Sequence, residues 1–356
     1  MFTLTAVKQL LKRNISVELL CTKESRIHIE ANNLGLLVHP VKRTWISNVS
    51  NIIRLASLIR RSKYDLIHTQ ASFDLWIIVP ALQLIKKNIP LILTKQVGSF
   101  VIKKDFLHKW IYNRLTFAFA ISTAIEKNLI DSCPLPQDKV LLVHNGIDIE
   151  RFNPEKVNPK KVRDEFHIAP NEILIGMMAR FSPGKGHEEF LYAARELNKK
   201  YSNLKFLVVG EPSRGENDYA ESIKRLAGGY GLSNLIFTGY RSDTPDVLAA
   251  LNIFVFPSHA ESFGLALAEA MAMGIPSVCS NAEGILDIAV DNETSLLFEN
   301  KNAEDLTNKI SVMLESEDLR KNFSTASRKR AVELFDLEKL TDRVVMIYQK
   351  AIDQSK

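Results

Sequence analysis

Two kinds of apolar pattern alternate along this chain. Short runs rich in Val, Ile, Leu and Phe are apolar at consecutive positions, as strands buried on both faces are. Longer segments repeat their apolar residues every three or four positions, as helices do. In the first half the strand-like runs fall at 16–21, 36–41, 66–70, 91–95, 117–122 and 140–144. In the second half they fall at 173–180, 204–210, 235–240, 253–258 and 276–280. Helical patterns separate most of them, which is the signature of βαβ units and parallel sheets. One series ends near residue 150 and another begins near 172. The stretch between, 151–171, carries Pro154, Pro159 and Pro170 among many charges, and reads as a linker followed by the first helix of a second domain. The pattern therefore predicts an α/β chain of two Rossmann-like domains, 1–150 and 151–337, with no solenoid repeat.

The opening of the chain breaks the pattern. A doubly wound sheet starts with a strand that lies near its centre. Here Leu4, Val7, Leu10 and Leu11 fall at helical spacing, and the first strand-like run comes only afterwards, at Ser16. Either the start of the sequence is misassigned, or the first domain is that of a truncated relative that lacks its central strand and the loop that follows it. Such a gap leaves backbone groups without partners inside a sheet, a costly arrangement.

A length of 356 residues suits two domains, and 46% apolar with 24% charged residues is an ordinary globular composition. The longest apolar run, from Trp76 to Ile85, is half of what a membrane span needs and contains Pro80. No secretory leader is legible. Cys21, Cys133 and Cys279 form neither a CxxC pair nor an even framework, so a reducing cytoplasm is the expected compartment. Charge is uneven. Residues 1–155 hold 21 Lys/Arg and 12 Asp/Glu, hence +9, and residues 156–356 hold 25 and 29, hence −4. A basic half suits an anionic acceptor or an acidic membrane face on which the protein would sit peripherally. A solvated surface without a partner is the plainer reading.

The strongest chemical signal is Pro257-Ser258-His259-Ala260-Glu261-Ser262-Phe263-Gly264-Leu265, leading on to Glu269. A strand ends in a loop, and a helix starts at about Gly264 and stops at Gly274, with Pro276 after it. The free amides of Phe263, Gly264 and Leu265 then point out of a helix N-terminus, where a phosphate is held without any side chain. Glu261 precedes the helix and Glu269 lies just over one turn inside it. Two carboxylates so spaced can reach the sugar side and the ribose side of a diphosphate, each accepting hydroxyl hydrogen bonds. A second signal is Ala179-Arg180-Phe181-Ser182-Pro183-Gly184-Lys185-Gly186, in which two cations share one loop after a strand. They can clamp a diphosphate and neutralise charge that develops on departure. This is not a Walker loop, and no GxGxxG follows a strand, which argues against a nicotinamide dehydrogenase.

The two glutamates seven residues apart, after a Pro-Ser pair and around Phe-Gly, resemble the signature of the GT-B, family 4 retaining glycosyltransferases. Arg180 to Gly186 is similar to that family's R-x4-K-G element. Val208-Val209-Gly210-Glu211, Phe237-Thr238-Gly239-Tyr240, Ala120-Ile121-Ser122 and Val143-His144-Asn145-Gly146-Ile147-Asp148 resemble its further elements in the same order. The resemblance implies two domains facing across a cleft, with a last helix at 339–352 that returns residues 338–356 to the first domain. It implies transfer of a sugar from a nucleoside-diphosphate sugar to a glycan or lipid-linked acceptor, with retention, in cell-envelope polysaccharide or lipopolysaccharide synthesis. Arg180, Lys185 and Glu261 would be catalytic. Glu269, Phe263, Gly264, Leu265, Gly239 and Tyr240 would bind donor, and His68, Gln96 and Ser122 would face the acceptor. No cofactor and no metal are implied, and no histidine spacing suggests one.

Departures from the family pattern bear on this reading. Pro212 stands for a glycine. Glu283, Leu286 and Asp287 stand in Glu283-Gly284-Ile285-Leu286-Asp287 where GGxPE is common. Gln70 stands where a second histidine is common. With the glycine-rich loop of the first domain missing, the alternative is a non-catalytic nucleotide-sugar-binding subunit or a truncated, inactive relative. A GT-B epimerase or phosphorylase lacks support, because no lysine-cofactor signature and no paired carboxylates occur in the first half.

Overall fold

The structure, a computed structural model, describes residues 2–42 and 47–356. The chain divides into two compact units, Met1–His144 with Glu338–Lys356, and Asn145–Leu337. The stretch 151–171 thus lies wholly inside the second unit.

The first unit holds two parallel sheets. Strands β1 (Leu19–Thr22) and β2 (Val38–Val41) pair with Leu19 opposite Val38. Strands β3 (Ile67–Thr69), β4 (Leu91–Lys95), β5 (Phe117–Ala120) and β6 (Val140–Leu142) pair in sequence order. Among the described residues no strand joins β1 to β3. The chain does open with a helix, Phe2–Lys12. Its Leu4 and Val7 pack with Leu19 and Ala31 against the small sheet, which is how a helix at this spacing buries its stripe. The last helix, Leu337–Asp353, lays Val344, Ile347, Tyr348 and Ala351 on Ile92, Phe117 and Phe119 of the larger sheet. Arg13 ties the two helices together through Asp342 at 2.7 Å and Glu338 at 2.9 Å.

The second unit is one continuous parallel sheet. Strands β7 (Ile173–Met178), β8 (Leu204–Val209), β9 (Leu235–Gly239), β10 (Ile253–Phe256), β11 (Ser277–Ser280) and β12 (Ser295–Phe298) run in the order β12-β11-β10-β7-β8-β9. This is the doubly wound order, with the first strand of the unit at the centre. The pattern of apolar runs missed β12. Gly210, just after β8, has φ +145°, and a Cβ there would lie 1.9 Å from the Ala179 carbonyl oxygen. Only glycine permits the ends of β7 and β8 to approach this closely. No helix of the described residues is long and apolar enough to cross a membrane.

Candidate functional site

In an open α/β sheet a ligand crevice forms where strand order reverses, outside the carboxyl ends of the strands. In the second unit that point lies between β7 and β10, which pair directly with Ile253 opposite Ile175. The loops leaving these two strands are 179–186 and 257–264, the two segments that carry the chemical motifs. Sheet order alone therefore brings them together.

Side chains and backbone then staple the loops. The His259 amide donates to the Gly184 carbonyl at 2.9 Å. Lys185 Nζ donates to Glu261 Oε1 at 2.6 Å, with both side chains about four-fifths buried (exposures 21% and 19%). Gly186 has φ +76°, and a Cβ there would come within 2.2 Å of the Pro257 carbonyl oxygen, so no other residue fits between lysine and helix. Beneath, the fully buried His187 stacks on Phe181 at 4.7 Å and supports the loop that carries Arg180. Burial, with Lys185 adding to it, holds the His187 imidazole down at about 4 and therefore neutral. Arg180 Nη1 donates to Ser213 Oγ at 2.8 Å.

The helix Leu265–Ala272 follows. Gly264 occupies its N-cap in the left-handed conformation, and no side chain caps that end. The helix stops as the motif requires. Gly274 (φ +68°) donates to the Met271 carbonyl and Ile275 to the Ala270 carbonyl, both at 2.9 Å. Its N-terminal dipole and free amides face the loops that hold Lys185 and Glu261, a setting that favours an anion. Phe263 is buried with its ring edge-on to Phe335 at 5.5 Å, so only its backbone is placed for a ligand. Burial lifts the Glu269 carboxyl to about 7, opposed by the charge of Arg151. Gly239, with φ +72°, ends β9, and its carbonyl already accepts from the Gly210 amide and from Thr238 Oγ1, while Tyr240 is exposed.

The first unit treats its expected acceptor residues differently. Ser122 is fully buried and caps the helix Thr123–Ser132 by accepting from the Ile125 amide at 3.2 Å. It is a helix cap and does not face solvent, unlike the acceptor-side position expected of it. His68 has both ring nitrogens engaged, Nδ1 with the Tyr348 hydroxyl at 2.5 Å and Nε2 with Thr94 Oγ1 at 2.7 Å. A neutral ring satisfies both partners, and burial holds its pKa down at about 4. His68 thus bridges β3, β4 and the last helix, and it has no nitrogen left over for a substrate. Gln96 Nε2 reaches Gln70 Oε1 at 3.3 Å across neighbouring strand ends.

The departing residues also find a place. Glu283 adopts φ +38°, a conformation suited to the glycine common at that position. The Gly284 amide donates to the Glu261 carbonyl at 3.1 Å, and a Cβ on Gly284 would strike the Ser262 carbonyl oxygen at 2.6 Å. The 283–287 segment therefore backs the Glu261 loop. Sequence reasoning passed over three neighbours of the site: Ser213 against Arg180, Arg151 near Glu269, and Glu189, which holds His259 Nε2 at 2.7 Å. None lies in a motif. The one legible hint was Glu189 in the first turn of the helix His187–Asn198, which follows the Lys185-Gly186 pair. Among the described residues no three His, Cys, Asp or Glu side chains cluster as a metal site would require.

Two cations, an uncapped helix start and a partly buried carboxylate thus meet around the switch point of a doubly wound sheet. The chain belongs to the family 4 glycosyltransferases of GT-B fold. The family described as "Glycosyltransferase Family 4" matches residues 1–151, and "Glycosyl transferases group 1" matches residues 159–330. A capsular polysaccharide biosynthesis glycosyltransferase of Staphylococcus aureus, CapM, is 26% identical over 250 residues, which cover 68% of this chain and 63% of that one. The N,N'-diacetylbacillosaminyl-diphospho-undecaprenol alpha-1,3-N-acetylgalactosaminyltransferase of Campylobacter jejuni is 29% identical over 85% of this chain and 82% of its own. A solved glycosyltransferase from Rickettsia africae has the same fold, with a TM-score of 0.90 at 21% identity over 99% of this chain and 94% of that one. So does Anabaena HepE in complex with UDP and glucose, at 0.80 and 19% over 97% and 94%.

Proposed function

We propose that this protein transfers a sugar from a nucleoside-diphosphate sugar to a lipid-linked glycan acceptor, with retention, in the assembly of a cell-envelope polysaccharide. One observation carries the reading: the Lys185–Glu261 pair lies beside the uncapped start of Leu265–Ala272, with Glu269, its carboxyl raised by burial against the charge of Arg151, one turn further on. The diphosphate lies over the helix amides. Arg180 and Lys185 take up the charge that builds on it as the glycosidic bond breaks. Lys185 then exchanges part of its hold on Glu261 for the phosphate, which frees the Glu261 carboxylate for sugar hydroxyls. Glu269 accepts from the ribose hydroxyls. The acceptor attacks on the face from which the diphosphate departs, and a diphosphate oxygen takes its proton. No protein nucleophile and no metal are needed. The HepE complex with UDP and glucose and the undecaprenyl-linked substrate in the name of the Campylobacter relative support the donor and acceptor classes.

The test is calorimetry with UDP, UDP-glucose and the corresponding GDP and ADP compounds, on the protein and on the variant Arg180→Ala/Lys185→Ala. Loss of two charge-assisted contacts should weaken the bound nucleotide at least ~100-fold with the fold intact. Unchanged affinity removes the assignment. Activity that vanishes with a chelator and returns with manganese removes the metal-free mechanism. The engagement of Ser122 and His68 within the first unit favours a second reading, nucleotide-sugar binding without efficient transfer. Tight binding with no turnover on any lipid-linked acceptor would select it.

A further inference from the structure

The first unit carries a built apolar projection. Phe100, Val101 and Ile102 stand in the loop after β4, and Phe106, Leu107 and Trp110 on the helix Phe106–Asn113 that follows; all six are exposed, Phe100 and Phe106 by more than three-quarters. Isolated exposed apolar residues are ordinary, but a run of this density marks a contact surface. The loop is not slack. The Ser99 amide donates to Asn128 Oδ1 at 2.9 Å, Asn128 Nδ2 donates to the Ser99 carbonyl at 3.0 Å, and the Lys103 amide donates to the Ser132 carbonyl at 2.7 Å. With both ends tied to one helix, the three residues between them are held outward. The helix is equally fixed. Asp105 caps it by accepting from the Leu107 and His108 amides, both at 3.1 Å. On the inner face Ile111 and Tyr112 are buried, and His108 meets Trp76 edge-on at 5.3 Å. Phe106 and Trp110 are left on the opposite face, and Leu107 is exposed beside them.

Charge identifies the occupant. Lys103, Lys104 and Lys109 interleave the apolar residues, and the one acid of the segment, Asp105, is engaged with its own helix and His108. Aromatic and aliphatic tips beside lysines whose stems reach past them are the composition of a surface that inserts into the headgroup layer. We propose that this projection docks the protein on an anionic lipid bilayer, with Phe100, Ile102, Phe106 and Trp110 entering the interface and the three lysines engaging lipid phosphate. The proposal stands apart from the donor site, since bilayer binding needs neither nucleotide nor acceptor. It would, however, bring a lipid-linked acceptor within reach.

The full chain is floated with vesicles of phosphatidylglycerol and phosphatidylcholine, and with vesicles of phosphatidylcholine alone. Binding is expected to the anionic vesicles only, weakening with salt, with Trp110 emission moving to the blue and the shift lost in Trp110→Phe. Lys103→Glu/Lys104→Glu/Lys109→Glu should weaken partitioning by roughly fivefold or more per lysine. Phe100→Ser/Ile102→Ser/Phe106→Ser should weaken it by at least ~10-fold. UDP-glucose affinity in both variants reports that the second unit is intact. No binding to anionic vesicles overturns the proposal. So does binding unaffected by either variant, and so does self-association that the serine variant abolishes while vesicles are ignored.

Discussion

The two units are built from the same βαβ grammar, yet one sheet is whole and the other is divided. In the second unit β7 sits at the centre and pairs on both sides, with β8 and β10. In the first unit no described strand occupies the corresponding place, and β1 and β3 each pair on one side only. The consequence extends beyond hydrogen bonds. A central strand creates the switch point, and the switch point brings two sequence-distant loops together. Where it exists, Lys185 and Glu261 pair beside the helix at Leu265, and Arg180 on the same loop as Lys185 reaches Ser213. Where it does not, the residues expected to meet a substrate serve the scaffold: Ser122 caps a helix and His68 joins strands to the final helix.

The hardest test of this contrast is Gly210→Ala. Both φ +145° and the 1.9 Å approach to the Ala179 carbonyl forbid a side chain. The substitution should cost at least about 4 kcal/mol and unfold the second unit first, leaving amide-exchange protection in β4 and β5. Equal loss of protection in both units would show that they do not differ in this way.

Glu269→Gln sharpens the contrast from the functional side. Burial raises the carboxyl from its ordinary value to about 7. Its contribution to stability is therefore complete below about 4.5, and it is lost as pH rises through about 7. Above pH 7 the glutamine variant without nucleotide should melt higher than the parent. Nucleotide affinity should fall roughly 10- to 100-fold, the loss of a charge-assisted hydrogen bond of about 1.5–3 kcal/mol. Parent affinity should rise with pH through about 7, because the ionised carboxylate accepts the ribose hydroxyls, whereas the variant should be flat. Calorimetry and melting at pH 6 and pH 8 measure all three, and a pH-independent parent would remove Glu269 from the ribose.

The smallest effect is expected in the first unit. Ser122→Ala removes a buried cap and should cost about 1 kcal/mol of stability, read from exchange in Thr123–Ser132. The acceptor KM should stay where it is. A KM raised tenfold with unchanged stability would return Ser122 to the acceptor.

The chain's own order of residues determined a good deal. Continuous apolar runs and period-3.6 patterns located eleven of the twelve strands of the described residues, because burial on both faces of a sheet or under a helix imposes those patterns locally. The opening helix, Phe2–Lys12, was legible for the same reason. So were Gly264, Gly274 and the Glu261/Glu269 pair, since a helix start, its stop and its faces are all set within a few residues. Partnership between distant residues was not legible. Nothing near Lys185 announces that it pairs with Glu261, that Ser213 meets Arg180, or that Glu189 holds His259. Nothing near His68 announces Tyr348, 280 positions on. Strand order decides those meetings, and strand order follows from which sheet arrangement buries the most apolar surface across the whole unit, a sum that no local window contains.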